Sequence, residues 1–149
     1  MDSEHLSKAV KIVQAITVTA GAAAATDVEG TAIDVSGYES VLMVAQFGEI
    51  VAGAATHIKA QESADLAFTT PLDITGTKQV IADVDDNKVF YIDIIRPDKP
   101  YIRLHVDRAT QNATVSAMYF LYGARVKPVA AHGTGVAGEL FKDPVTGTA

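Results

Sequence analysis

The segment from Lys88 to Pro128, KVFYIDIIRPDKPYIRLHVDRATQNATVSAMYFLYGARVKP, constrains the fold of this chain most. Phe90, Ile92 and Ile94 alternate with Tyr91 and Asp93, and Ile102, Leu104 and Val106 alternate with Tyr101, Arg103, His105 and Asp107. A period of two puts each apolar trio on one face of a pleated strand and its polar companions on the other. Arg96-Pro97-Asp98-Lys99-Pro100 interrupts the pattern once, and Ala109-Thr110-Gln111-Asn112 interrupts it again. Both interruptions have the composition of chain reversals. The spacing predicts three consecutive strands running as a β-meander inside a packed sheet.

Upstream, Val10 to Thr19 reads as a first strand, with Val10, Ile12, Ile16 and Val18 on one parity and Val13 interrupting it. Ala20 to Thr26 reads as loop, because the alanine run is short, uncapped and next to Gly21. Thr31 to Val35 and Tyr38 to Phe47 follow as strands around the turn pair Ser36-Gly37. In the second of these, Val41 and Met43 alternate with Leu42 and Val44, so both faces are apolar and the strand is expected to be central and covered on both sides. Ile50 to Ala55 is a small-residue loop. Thr56 to Ser63 is a strand with Ile58 and Ala60 inward and His57, Lys59 and Gln61 outward. Ser63 to Gly76 is a long turn region, and Lys78 to Asp83 a short strand. About eight strands at a spacing of roughly 8–12 residues predict an all-β, antiparallel, jelly-roll-like β-sandwich. After Val126 periodicity fades among prolines and glycines, and Leu140 and Phe141 are the only bulky apolar anchors. The expected organisation is an N-terminal arm over 1–9, a sandwich over 10–127 and an extended Gly/Pro-rich arm over 128–149.

Composition narrows the function. The 149 residues favour one domain with a real core. Twelve Lys and Arg against eighteen Asp and Glu give a net charge of −6, which disfavours wholesale contact with a phosphate backbone. The absence of cysteine excludes disulfides, thiolate metal sites and a Cys nucleophile. No apolar run approaches the roughly 20 residues that span a bilayer. Met1 to His5 is acidic and polar where a secretory leader is basic and then apolar, so synthesis in the cytoplasm without membrane attachment is expected.

No motif for chemistry stands out. Asp83-Val84-Asp85-Asp86-Asn87 opens like an EF-hand loop, but Lys88 occupies the glycine position and Ile94 that of the bidentate Glu. An acidic solvated turn is the ordinary reading. His5, His57, His105 and His132 lack metal-ligand spacing, although His57 and His105 lie on outward strand faces and can meet in space. Ser36 lacks the flanks of a nucleophile elbow. Gly133, Gly135 and Gly138 have dinucleotide spacing with no strand before them and no helix after. No enzyme, cofactor or metal is therefore expected. Arg96, Lys99, Arg103, Arg108 and Arg125 concentrate positive charge around the predicted meander, and Tyr91 and Tyr101 point outward beside them. With Leu140 and Phe141 of the tail, these residues form the candidate interface, suited to an acidic partner surface. Tyr38, Tyr91 and Tyr101 also permit a carbohydrate-stacking module, a reading weakened by the absence of tryptophan.

Val89-Phe90-Tyr91-Ile92-Asp93-Ile94, the Pro-containing turn, Tyr101-Ile102-Arg103-Leu104, Asn112-Ala113-Thr114 and the ending Gly123-Ala124-Arg125-Val126-Lys127-Pro128 together resemble small head proteins of tailed bacteriophages. The stretch from Lys59 to Pro71 adds to the likeness, which runs from Ile33 to Pro128. The resemblance implies a capsid cement (decoration) protein, a non-enzymatic sandwich on the outer capsid surface of the virion. It further implies binding to the major capsid protein of the same phage as a homo-oligomer, a dimer before a trimer, with no direct nucleic-acid contact. A head–tail connector or tail accessory protein of the same virion is the alternative.

Overall fold

The computed structural model describes residues 5–53, 56–108, 112–129 and 131–140. It is nearly all β, with one helical turn, α1 (Leu6–Ala9), before the strands. These are β1 (Lys11–Ile16), β2 (Val28–Glu29), β3 (Ile33–Asp34), β4 (Ser40–Ile50), β5 (Thr56–Ser63), β6 (Leu72–Asp73), β7 (Gln79–Ile81), β8 (Val89–Ile95), β9 (Tyr101–Asp107) and β10 (Ala113–Tyr122). The first sheet has the order β1-β10-β4-β8; the second has the order β2-β9-β5-β6, with β3 also on β9 and β7 also on β5. Every pairing is antiparallel. Among the described residues the strands number ten rather than about eight, because the unassigned stretch 27–30 and the turn region Ser63 to Gly76 each contribute a two-residue strand.

The alternation over Lys88 to Pro128 does produce three strands, but they are not a meander. β8 lies at the edge of the first sheet on β4, β9 lies in the second sheet on β5, and β10 returns to the first sheet between β1 and β4. Periodicity reports which side chains share a face, and says nothing of which sheet a strand joins. The five-residue link Arg96–Pro100 carries the chain across the layers, with Arg96 at φ +53°. Ile92 and Ile94 then face Ile102, Leu104 and Val106 across one core, together with Val41, Met43, Phe47, Ile58 and Leu121. Phe47 and Phe90 pack edge to face with ring centres 5.9 Å apart. In β1 the inward residues are Val13, Ala15 and Ile16, not the Val10–Ile12–Ile16–Val18 parity. A register shift between Gln14 and Ile16 exchanges the faces mid-strand.

Two polar side chains tie the layers together. Tyr119 of β10 is fully buried, and its hydroxyl accepts the Leu104 N–H of β9 at 2.8 Å. Gly30 makes room for it: a Cβ there would lie 2.2 Å from the Tyr119 oxygen. Arg108 is only 2% exposed. Its Nε donates to Thr26 O at 2.6 Å, and its Nη1 donates to Ala22 O and Ala113 O at 2.7 and 3.0 Å.

Of the two expected arms, residues 1–4, 130 and 141–149 lie outside the described residues, and the described parts contact the body. α1 leads directly into β1, and Val129 N–H donates to Lys8 O at 2.9 Å. Gly133 N–H donates to Ile12 O at 2.8 Å, while Ile12 N–H donates to His132 Nδ1 at 3.1 Å. The C-terminal segment thus runs along the outer edge of β1 and occupies backbone groups that an edge strand otherwise leaves open. Gly133 allows this approach, since a Cβ would sit 3.2 Å from the Val13 Cα.

Candidate functional site

The outer faces of the two sheets differ in chemistry. On the first sheet, cross-strand pairing puts Met118 between Gln14 and Val44, and Val44 beside Tyr91; it puts Phe120 between Ile12 and Leu42. These side chains make a continuous apolar patch, with Tyr91 64% and Met118 45% exposed and the others half-buried. Gln14, Gln46, Ser116 and Asp93 rim it, and the Tyr122 hydroxyl donates to Asp93 Oδ1 at 2.7 Å along one border. Toward α1 the patch deepens into an apolar groove of about 540 Å³ between Leu6, Val10, Leu42, Phe120 and Tyr122. An apolar surface bounded by polar groups is the form of a protein–protein contact. Its signal was present in the sequence as the two-sided apolar pattern of Val41 to Val44. That pattern called for cover on both sides, and the fold covers one.

The sequence-derived interface residues scatter. Arg96, Lys99 and Arg125 meet at one end of the sandwich around an open groove of about 700 Å³ that also includes Tyr38, Glu39 and Asp98. The groove is mixed in charge rather than basic: Arg96 Nε lies 3.4 Å from Glu39, and Lys99 Nζ 2.6 Å from Asp98. Tyr91 and Tyr101 stand on opposite outer faces, because β8 and β9 belong to different sheets. They cannot form one aromatic patch within a single chain. Arg103 is engaged on the second sheet, pairing with Glu29, donating to Gln61 Oε1 at 3.0 Å and stacking 4.5 Å over the Phe68 ring. Arg108 is interior and drops out of any surface patch. Leu140 is 48% exposed, and Phe141 lies outside the described residues.

The outer face of the second sheet is a polar network. Lys59 pairs with Asp73 at 2.7 Å, and Gln61 donates to Asp73 at 2.9 Å. These hydrogen bonds hold the Asp73 carboxyl below the usual carboxylate range. His57 Nε2 lies 3.7 Å from Asp107, and His105 lies 3.6 Å from both Asp27 and Glu29. Burial pushes the His57 pKa down against the pull of Asp107, so this imidazole is uncharged at neutral pH. The acidic turn 83–87 is spent on local structure: Asp83 accepts Gly53 N–H, Asp85 accepts Ala82 N–H, and Asp86 accepts Ile50 N–H at 2.6–2.8 Å. Compared with known proteins, the chain matches no family description, no curated protein and no solved structure.

Proposed function

We propose that this chain is an adhesive, non-enzymatic virion protein: a capsid cement protein of a tailed bacteriophage. It binds the outside of the head and bridges major capsid protein subunits as a symmetric homo-oligomer. The adhesive part of this reading is carried by the apolar outer face of the first sheet, which among the described residues is bordered by α1 at one end and by Gly135–Ala137 beside Gln14 and Met118, and is otherwise open. The choice of lattice rests on the resemblance between Ile33 and Pro128. Contacts of modest size repeated at symmetric positions give avidity, and a protein that binds only the assembled shell stabilises it by mass action. A stiff sandwich suits that role. We also read the sandwich as a jelly roll. If β2 with β3 and β6 with β7 each count as one interrupted strand, the pairing orders support eight strands arranged as two Greek keys.

The test is to add the purified chain to expanded heads of the phage that encodes it, prepared without it. Saturable co-sedimentation, a higher temperature of head disruption and density at symmetric outer positions by electron microscopy are expected. Heads that neither bind the protein nor gain stability refute the proposal. Density confined to the neck assigns the chain to the head–tail connection instead.

A further inference from the structure

We propose that Asp27, His105 and Asp107, with His57 as a fourth donor, bind one first-row divalent cation of the zinc type on the outer face of the second sheet. The register builds the site. β2 sets Glu29 opposite His105, and β5 sets His57 opposite Asp107 and Lys59 opposite His105. Asp27, one residue before β2, continues that strand toward Asp107. Ligand atoms of Asp27, His105 and Asp107 lie within 4.8 Å of one another. His105 Nε2 is 3.6 Å from Asp27 Oδ2, and His57 Nε2 is 3.7 Å from Asp107 Oδ2.

These two separations exceed the roughly 3.2 Å limit of a hydrogen bond. They are close to the spacing of about 3.3–3.6 Å between neighbouring ligands that each stand about 2.0–2.2 Å from a tetrahedral zinc. His57 lies outside the group that meets the 4.8 Å limit, and rotation of its ring and of the exposed Asp27 carboxylate closes the remaining distance. A second observation points the same way. His105 Nδ1 is shielded from solvent and has no hydrogen-bond partner among the described residues, and Glu29 Oε1 stands 3.6 Å from it. With Nε2 on a metal, Nδ1 carries the proton and donates to Glu29, the carboxylate–histidine–metal arrangement that orients metal-binding imidazoles. Arg103 holds Glu29 in place from the other side. Imidazole and carboxylate donors together suit zinc and its neighbours better than calcium or magnesium. No sequence spacing announces the site, because its ligands come from three strands. A bound ion would tie the two-residue strand β2 to β9 and β5.

The full chain, stripped of metal with a chelator, is titrated with Zn²⁺ by calorimetry and with Co²⁺ by visible absorption. One equivalent of Zn²⁺ should bind saturably and raise the thermal midpoint, and Co²⁺ should give the intense absorption of a tetrahedral site. His105→Gln and Asp107→Asn should each weaken Zn²⁺ binding at least tenfold, and Glu29→Gln about tenfold. His5→Gln, away from the cluster, should bind as the parent does. Circular dichroism of the metal-free variants separates lost ligands from lost fold, and the parent titrations stand without any variant. Absence of saturable binding to the parent overturns the proposal. So does equal affinity in folded His105→Gln, or an equal midpoint shift from Ca²⁺ or Mg²⁺ at the same concentration.

Discussion

Tyr119 and Arg108 show what single residues contribute here. The Tyr119 hydroxyl replaces a ladder partner for Leu104 N–H at a place where Gly30 keeps the second sheet open. Burial pushes the phenol pKa far upward, so it stays neutral throughout the working range. Tyr119→Phe keeps the packing and strands one buried N–H, which costs about 1–3 kcal/mol; urea melts of the two proteins measure it. Arg108→Met leaves Thr26, Ala22 and Ala113 carbonyls without their donor, and a loss of about 3 kcal/mol or more is expected in the same assay. The interior place of Arg108 was readable. The parity that puts Ile102, Leu104 and Val106 inside puts residue 108 inside too, and its charge alone suggested a surface position. Asp34 and Asp73 contribute to the pH dependence at this scale, as do Asp65 and Asp85, whose pKa values hydrogen bonds from Thr69 and Lys88 also lower. Ser36 lowers the Asp34 pKa, and Lys59 and Gln61 lower that of Asp73, from 3.8 in each case. A depressed folded pKa contributes stability that is present above 3.8 and lost as pH falls through the folded value. The midpoint difference between parent and Asp73→Asn should therefore be constant above about pH 5 and vanish in stronger acid. A difference that persists unchanged at pH 2 contradicts this assignment.

At the scale of elements, alternation located the long strands and failed on their partners. β5 and β9 have the extents expected from their residues, and the expected facing except that Gln61 is buried, bonded to Asp73 and Arg103, whereas β8, β9 and β10 divide between the sheets. The choice is made by linkers. Arg96–Pro100 is too long and too rich in proline for the two-residue turns that join hairpin neighbours. The short strands β2 and β6 were not legible, since two residues hold no period. The tail lacks apolar periodicity and so reads as an arm, yet Val129 bonds to α1, and His132 and Gly133 to the β1 edge at Ile12, through polar groups that leave no hydrophobic pattern. Removing residues 129–149 opens that edge. The truncated chain should melt lower and self-associate at concentrations where the parent is unchanged, as light scattering during a thermal ramp will show. A truncated chain as soluble and stable as the parent would mean that the segment does not protect β1.

For the whole molecule, the contrast between faces separates what folds the chain from what it adheres with. The core beneath the first sheet holds Phe47, Tyr119 and Met43, each no more than 1% exposed. The opposite side of the same strands presents Leu42, Val44, Met118 and Phe120 to solvent at half-burial or more exposure. Alternation alone cannot distinguish a strand covered by its own chain from one covered by a neighbour, so β4 read as interior on both sides. A side chain such as Met118 gains about 1.5–3 kcal/mol only when something covers it. Met118→Glu should then leave the thermal midpoint of the isolated chain almost unchanged, as exposed substitutions usually do within about 0.5 kcal/mol. The same change puts a charge into any surface docked on the patch, and binding to heads should fall at least tenfold by co-sedimentation. Lys59→Met, on the polar face of the second sheet, should bind heads as the parent does. If Met118→Glu binds like the parent while Lys59→Met fails, adhesion belongs to the charged sheet and the apolar one serves something else.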